Sequence, residues 1–579
     1  MNVFLFFYFL IVPLLWALSV SLSGRRVFSA SAYLGNAVML FAFTALMFLT
    51  GYLSGMDILM FRGIIKAFSA ALLLSSGLKF LLLIRRGVKP GADLIVIISF
   101  ISFASAAFWH FQGYSLPGDS FVFLSQAERM AQNHKLGDAS PFGVTDDPRY
   151  RASFLPLVLS VLPLEERLRF FYKFLPPLML AMAMITNYVL AAKLTGRITA
   201  VSATACFFVF FFVRTGGITE YSVLNLPKAF IPWFLFPAFL YFHLVARRRL
   251  QLAVFFLAVF THLFYGGLLL LLAVTVGGME FLLKRKSRSL KGGYAGLLAC
   301  MAGMTALFYA AHGMGDCPVR NPFFLDWTGS TYARFFISSG SLWLLNPWTV
   351  LKKAGFALDS GLICAAAYVG CAVTVACRGK RWLVPATLIP LAVVGFNPVA
   401  VPLAAKIVTP FKIPALIQCF PFCAGISLFI FMIQKHLPVI MRKIFLSGIT
   451  ACSIALFFYL CLTGPDHSGA VPVISVPFPE ILHLKELSGA CVLCDEVSSM
   501  YLAAFAGSSV WLSPAPFSSP CFDYKSARRQ FEEFLEFPGS SNLPEGITHV
   551  LLARGLKLDR PFLREVLSEK FCTLYRVVR

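Results

Sequence analysis

The residues with the richest chemistry in this 579-residue chain are a few acids and cations lying between long apolar runs. Asp119 follows Pro117 and Gly118 shortly after one such run. Asp146 and Asp147 open a DDPRYR stretch that also holds Arg149 and Arg151, and Glu220 follows Gly216 and Gly217. A carboxylate in such a place can take a proton from an attacking hydroxyl, and two or three together can hold a divalent cation such as Mg or Mn through oxygen ligands. Lys228, Lys412, Arg149 and Arg151 offer donors for an anionic group, and His262 can add another. Each has a plainer reading beside it. Asp119 or Ser120 suits a helix N-cap, Asp146 and Asp147 before Pro148 suit a turn, and Glu220 suits a solvated loop. His262 suits a hydrogen-bonded place between packed helices, and Lys412 suits a helix end from which its ammonium snorkels, as read for Lys66 and Lys79. No compact metal-ligand spacing occurs, so a metal stays open.

The elements that must position these groups are membrane helices. The hydrophobic set makes up 58% of the chain, charged residues only 13%, and the mean hydropathy is +0.77, which excludes a soluble globular enzyme. Lys and Arg number 50 against 27 acids, a net charge of +23, but the cations sit in short clusters between apolar segments instead of forming a nucleic-acid-binding stripe. Apolar runs predict spans near 2–22, 31–52, 60–84, 93–111, 170–192, 198–213, 229–246, 293–312, 359–377, 382–398, 411–433 and 444–463. Residues 251–283 are too long for one span and carry basic clusters at both ends, so they predict two short helices meeting near 262–267. The expectation is about fourteen spans.

Charge sets the predicted orientation. Arg25, Arg26, Arg85, Arg86, Lys89, Lys193, Arg197, Arg247, Arg248, Arg249, Lys284, Arg285, Lys286, Arg288, Lys291, Arg378, Lys380, Arg381, Lys435, Arg442 and Lys443 all fall in alternate loops. These 21 basic residues are unmixed with acids. The positive-inside bias puts them in the cytoplasm, leaving the N-terminus, loops 112–169 and 313–358, and the tail from 464 on the outer side of the cell (inner) membrane. The first apolar run has no basic n-region and no small-residue cleavage pattern, and reads as a retained span.

Loop 112–169 is the densest polar place. Within it, Phe121, Leu124, Ala127 and Met130 recur at helical spacing over 120–132, which predicts an amphipathic helix lying along the outer interface, and 154–168 predicts a second short interfacial stretch. In the tail, 490–496, 508–513, 548–554 and 572–579 read as strands, and VSSMYLAAFAG (497–507), DYKSARRQFEEFLEF (523–537) and RPFLREVLSEKF (560–571) as helices. That alternation predicts a small C-terminal α/β domain with a largely parallel sheet. Cys491 and Cys494 form a CxxC on a predicted strand, the wrong place for a thiol redox motif. The 14 cysteines lie mostly in apolar segments and behave as small apolar residues. Walker A, dinucleotide-binding, HExxH, GxSxG and zinc-type spacings do not occur, and no internal repeat pairs two halves.

A long outer loop that opens with an acid just after a membrane helix and carries amphipathic helices, followed by many spans and an outer C-terminal domain, resembles the GT-C glycosyltransferases that use lipid-linked sugars. The stretches bearing the resemblance are GDSFVFLSQAERM (118–130), DDPRYR (146–151), ITEYSVLNLPK (218–228), FTHLFYG (260–266) and TPFKIPALIQCFP (409–421). It spans roughly 93–579, with 93–463 as a GT-C-like membrane core and 464–579 as an outer domain. Three helices in 1–92 precede the one that carries Asp119, whereas the family more often places its acid after the first helix.

The resemblance implies an α-helical polytopic membrane glycosyltransferase that moves a sugar from a polyprenyl-phosphate carrier to a glycan, lipid or protein acceptor at the outer face of the bilayer, with inversion. It implies Asp119 as general base, Asp146, Asp147 and Glu220 as further acids, and Lys412, Lys228, Arg149, Arg151 and His262 about the donor phosphate. The rival readings are a secondary transporter or lipid-linked oligosaccharide flippase, which predicts paired repeats and ionisable groups deep in the spans, and a non-catalytic assembly or polymer-anchoring protein whose tail is a binding module. A reporter fused after residue 463 is expected to be active on the outer face, and activity only inside the cell would overturn the orientation.

Overall fold

The computed structural model describes residues 12–15, 29–84, 91–110, 118–137, 153–213, 230–283, 288–311, 336–339, 342–347, 361–375, 380–407, 410–463, 478–514, 522–536, 543–553, 556 and 560–578. The membrane region is built from α1 (Ala30–Leu53), α2 (Ile58–Ile84), α3 (Ala92–His110), α4 (Gly118–Gln132), α5 (Phe154–Ser160), α6 (Leu164–Arg169), α7 (Leu175–Thr195) and α8 (Arg197–Val213). It continues through α9 (Phe236–Leu244), α10 (Arg248–Thr261), α11 (Leu263–Leu283), α12 (Arg288–Ala311), α13 (Gly361–Val375), α14 (Phe422–Lys435) and α15 (Val439–Thr463). A β-hairpin of β1 (Phe336–Ser339) and β2 (Leu342–Leu345) pairs antiparallel between α12 and α13. At about 1.5 Å per residue, the 21 residues of α7 reach across a hydrocarbon core of about 30 Å, and all but three of them are buried within the bundle.

Two departures from the expected spans share one cause. Residues 382–398 are not a continuous helix but a 3-10 turn at Lys380–Trp382, a short helix at Leu383–Ala386 and a π-helical segment at Leu391–Gly395. Pro385 and Pro390 each remove a helical donor and crowd the preceding turn. Residues 411–433 divide into a 3-10 segment at Pro410–Cys419 containing Pro414, and α14, which starts after Pro421 and bends away by 46°. Among the described residues six helices are long and apolar enough to cross a bilayer, or seven with this bent pair as one span. The expected count of fourteen is therefore not established.

The helix ends sort into two groups. At one end, Asp93 accepts hydrogen bonds from the Ala30 backbone N–H at 3.1 Å and the Tyr188 hydroxyl at 2.9 Å, and pairs with Arg197 at 3.0 Å. Arg381 donates to the Leu194 carbonyl at 3.2 Å and Thr199 to Gln434 at 3.1 Å. Tyr241 hydrogen-bonds to Ser31, and the Arg248 guanidinium lies over the Tyr294 ring at 4.6 Å. The helix termini beside the basic clusters thus gather at one end, as the alternation of charge requires. At the opposite end, Arg62 donates to the Val161 carbonyl at 2.6 Å, and the Phe154 ring lies 6.0 Å from both Phe48 and Phe260.

The tail holds β3 (Cys491–Leu493), α16 (Glu496–Tyr501), β4 (Ser509–Val510), α17 (Tyr524–Glu536), β5 (His549–Ala553), β6 (Leu563–Ser568) and β7 (Cys572–Val577). The sheet order is β4-β3-β5-β7-β6. β3 pairs in parallel with β4 and β5, with Val492 opposite Val510, whereas β7 runs antiparallel to both β5 and β6. The expected largely parallel sheet is therefore mixed, and the helix expected at 560–571 is instead the edge strand β6. The physical reason is reach: only Glu569–Phe571 separate β6 from β7, far too few for a crossover, so the two strands close as a hairpin. Asp495 caps α16 by accepting from the Val497 and Ser498 backbone N–H groups.

The α13–α14 crossing depends on small residues. A Cβ on Gly370 would collide with the Gly425 carbonyl oxygen and the Phe429 backbone nitrogen, and one on Gly425 with the Ala367 carbonyl oxygen. Gly370→Val is expected to lower the thermal unfolding temperature of the purified protein. Gly448→Ala on α15, where a Cβ meets open space, is expected to leave it unchanged. Equal unfolding temperatures for the two variants would contradict this packing.

Candidate functional site

α4 carries Asp119 as its second residue. The helix starts at Gly118, two residues earlier than an Asp119 N-cap and three earlier than a Ser120 N-cap requires, so Asp119 lies in the first turn, where the positive end of the helix dipole favours an acidic residue. The sequence pattern predicts a solvated polar face for this helix. Instead no residue from Ser120 to Gln132 is exposed. Phe121, Leu124, Ala127 and Met130 are buried as expected, but so are Ser125 and Gln126, and the charged Glu128 and Arg129 are engaged by partners from other elements.

Glu128 pairs with Arg167 of α6, whose side chain is only 1% exposed. Arg167 also donates from Nε to the Leu159 carbonyl at 2.9 Å and from Nη2 to the Leu162 carbonyl at 3.1 Å. Burial pulls the Arg167 pKa down, and the Glu128 carboxylate pushes it back up. α4 is thereby tied to α5 and α6, the two short helices that form the expected stretch at 154–168.

On another side α4 meets the tail. Arg129 Nη2 donates to the Ser508 carbonyl at 3.0 Å and to Ser509 Oγ at 2.9 Å. Gln132 Nε2 donates to Ser488 Oγ at 3.0 Å and to the Ala506 carbonyl at 3.3 Å. Phe121 stands edge-on to Tyr501 and Phe505, with centroids 5.0 and 6.2 Å away. Burial lowers the Arg129 pKa and raises that of the Cys491 thiol, while their mutual attraction opposes both shifts. Cys494 is buried deeper still and its thiol is pushed well up, which suits the reading of this CxxC as packing. The segment after α4 is held by the start of α2 and the turn that joins it to α1: Ile58 N–H donates to the His134 carbonyl and Leu136 N–H to the Met56 carbonyl, each at 3.0 Å. The N-terminal helices that the sequence left unexplained therefore brace the C-terminal end of α4.

Other candidates are placed unevenly. His262 breaks the α10–α11 pair in an extended conformation, φ −163° and ψ 109°, near the predicted 262–267 junction, with its ring 5.1 Å from Tyr265. Through Phe260 and Phe154 this junction shares an end of the bundle with α5, on which α4 packs. Lys412 lies in the 3-10 segment Pro410–Cys419, which packs against α11. Asp146, Asp147, Arg149, Arg151, Glu220 and Lys228 lie outside the described residues. Two buried hydroxyls, Ser120 next to Asp119 and Thr261 next to His262, have no hydrogen-bond partner among the described residues. Among the described residues no group of three His, Cys, Asp or Glu is placed to hold a metal.

The polytopic helical bundle, the C-terminal sheet and the helical loop packed between them make up a fold that the chain shares with two solved structures. It matches the crystal structure of ArnT from Cupriavidus metallidurans bound to undecaprenyl phosphate with a TM-score of 0.51 and 10% identity, over 83% of this chain and 97% of that one. It matches the oligosaccharyltransferase of Archaeoglobus fulgidus in its apo form with a TM-score of 0.50 and 11% identity, over 80% of this chain and 69% of that one. Neither a family model nor a curated protein matches the sequence. At such identities the likeness is one of fold.

Glu128→Ala leaves Arg167 buried without its anion and is expected to destabilise the protein by about 3–5 kcal/mol, read as earlier unfolding on heating. Unfolding at the native temperature would contradict the pairing.

Proposed function

We propose that the protein transfers a sugar from a polyprenyl-phosphate carrier to a hydroxyl acceptor at the outer face of the membrane. The observation that carries this reading is the GT-C fold, shared with a protein crystallised with undecaprenyl phosphate bound. The place of Asp119 in the first turn of a buried, doubly tethered helix supports it.

In the proposed step the carboxylate of Asp119 takes the proton of the acceptor hydroxyl as its oxygen attacks the anomeric carbon. The bond from that carbon to the phosphate oxygen breaks, and the electron pair leaves with the lipid phosphate. A single displacement of this kind inverts the anomeric centre, by the logic that separates one-step from two-step glycosidases. The departing dianion is stabilised by cationic donors, for which Lys412, Lys228, Arg149 and Arg151 are proposed, with His262 as a further hydrogen-bond donor. Asp146, Asp147 and Glu220 are the proposed further acids and would offer oxygen ligands to a divalent cation such as Mg or Mn. The carrier's apolar tail stays in lipid while its sugar surfaces at the interface, which suits an acid on an interfacial element of a membrane protein. The domain division at 92 and 463 belongs to the same proposal, with the catalytic core between these limits.

The test is transfer by the full chain in lipid nanodiscs from a labelled polyprenyl-phosphate sugar. Asp119→Asn is expected to fold normally and to lose on the order of 10²- to 10⁴-fold in turnover, the usual contribution of a general base. Native turnover in a folded Asp119→Asn protein would remove the base from the proposal.

A further inference from the structure

The interface between α4 and the tail is built in a way that simple apolar packing would not need. Arg129 and Gln132, one turn apart, reach into the tail and donate to two main-chain carbonyls and two serine hydroxyls. The tail makes room for them with Gly507, whose left-handed φ of +66° and missing side chain leave the gap that the end of Gln132 fills. Glu128, the residue just before Arg129, reaches instead to Arg167 of α6.

Consecutive residues on a helix point about 100° apart. One of this pair grips the interfacial helices and the next grips the tail, so only one rotation of α4 about its axis satisfies both. The apolar contacts of Phe121, Leu124, Ala127 and Met130 tolerate small rotations and slides. Hydrogen bonds to fixed carbonyls do not, because a half-buried guanidinium that loses its acceptors bears the desolvation cost without return. Arg129 itself is ten residues from Asp119, about 15 Å along the helix, too far to touch the same reacting atoms.

We propose that Arg129 and Gln132 are positioning residues for Asp119: docking of the tail through these side chains sets the rotation and axial place of the helix that begins with the proposed base. This rests on the reading of Asp119 given above. The tail then acts on the reaction through the helix that it holds.

The experiment uses the full chain in lipid nanodiscs, with radiolabelled undecaprenyl-phosphate hexose and pentose as donors. The variants are Arg129→Ala, Arg129→Lys and Gly507→Ala, with Arg528→Ala as a control because, among the described residues, Arg528 makes an exposed pair with Glu532 on α17 and a long contact to Tyr524 and nothing else. Arg129→Ala is expected to keep the donor KM while kcat falls on the order of 10- to 100-fold, the scale of a misplacement of about 1 Å. Arg129→Lys should recover part of that loss. Gly507→Ala should lower kcat in the same direction although it alters nothing on α4, since its methyl group runs into Gln132. Amide exchange across 118–132 should rise in both damaging variants and stay native in the control. Native kcat in Arg129→Ala and Gly507→Ala overturns the proposal, as does a kcat loss that merely tracks loss of folded protein. If the native chain transfers sugar from neither donor, the enzymatic reading falls and this inference with it, whereas native transfer with indifferent variants sinks the positioning role alone.

Discussion

The structure turns on the burial of one charged helix. α4 brings a carboxylate and a guanidinium on adjacent residues into an enclosed place, and both are tolerated because each finds a specific partner: Glu128 meets Arg167, and Arg129 meets the Ser508 carbonyl and the Ser509 hydroxyl. Removing ionised groups from water is unfavourable enough that an imperfect fit would push the helix back to the surface. A helix held this way is a rigid mount, and a reactive group mounted on a rigid element is placed more accurately than one on a loop. The account of function depends on this, since Asp119 belongs to the first turn of that helix.

The two ends of the bundle are chemically distinct in consequence. One collects cations, with Asp93 shared among the Ala30 backbone, Tyr188 and Arg197, and serves to knit helix starts together. The other collects short helices, turns and the tail sheet, all of which converge on α4. The turn between α1 and α2 is hydrogen-bonded to the strand-like stretch that follows α4, so helices with no counterpart in the sequence resemblance still act on the same element.

Most of the membrane architecture was legible because hydrophobic length and the alternation of basic clusters are one-dimensional signals. α1, α2, α3, α8, α13 and the α10–α11 break fall within a few residues of their expected places. Where proline interrupts an apolar run, at Pro385, Pro390 and Pro414, hydropathy reports the apolar length but not the breaks in its helix. The edge strand β6 was mistaken for a helix because LREVLS between polar flanks has helical periodicity, and only its nearness to β7 enforces the hairpin. The surroundings of α4 were illegible for a different reason: Arg167, Ser508 and Ala506 are remote in sequence from Glu128, Arg129 and Gln132, and no local pattern announces which polar residue will be met by a partner from another domain. The glycine at 507 is the nearest thing to a local sign, and its meaning emerges only with the Gln132 side chain in the gap.

The most direct measurement is a cryo-electron-microscopy map of the full chain in nanodiscs containing undecaprenyl phosphate. The account predicts phosphate density at the end of the bundle where α4 begins, within reach of the Asp119 carboxylate and of a cation such as Lys412, with the lipid tail running down between membrane helices. Phosphate density at the opposite end, beside Asp93 and Arg197, or an Asp119 sealed away from every lipid-filled hollow, would contradict it.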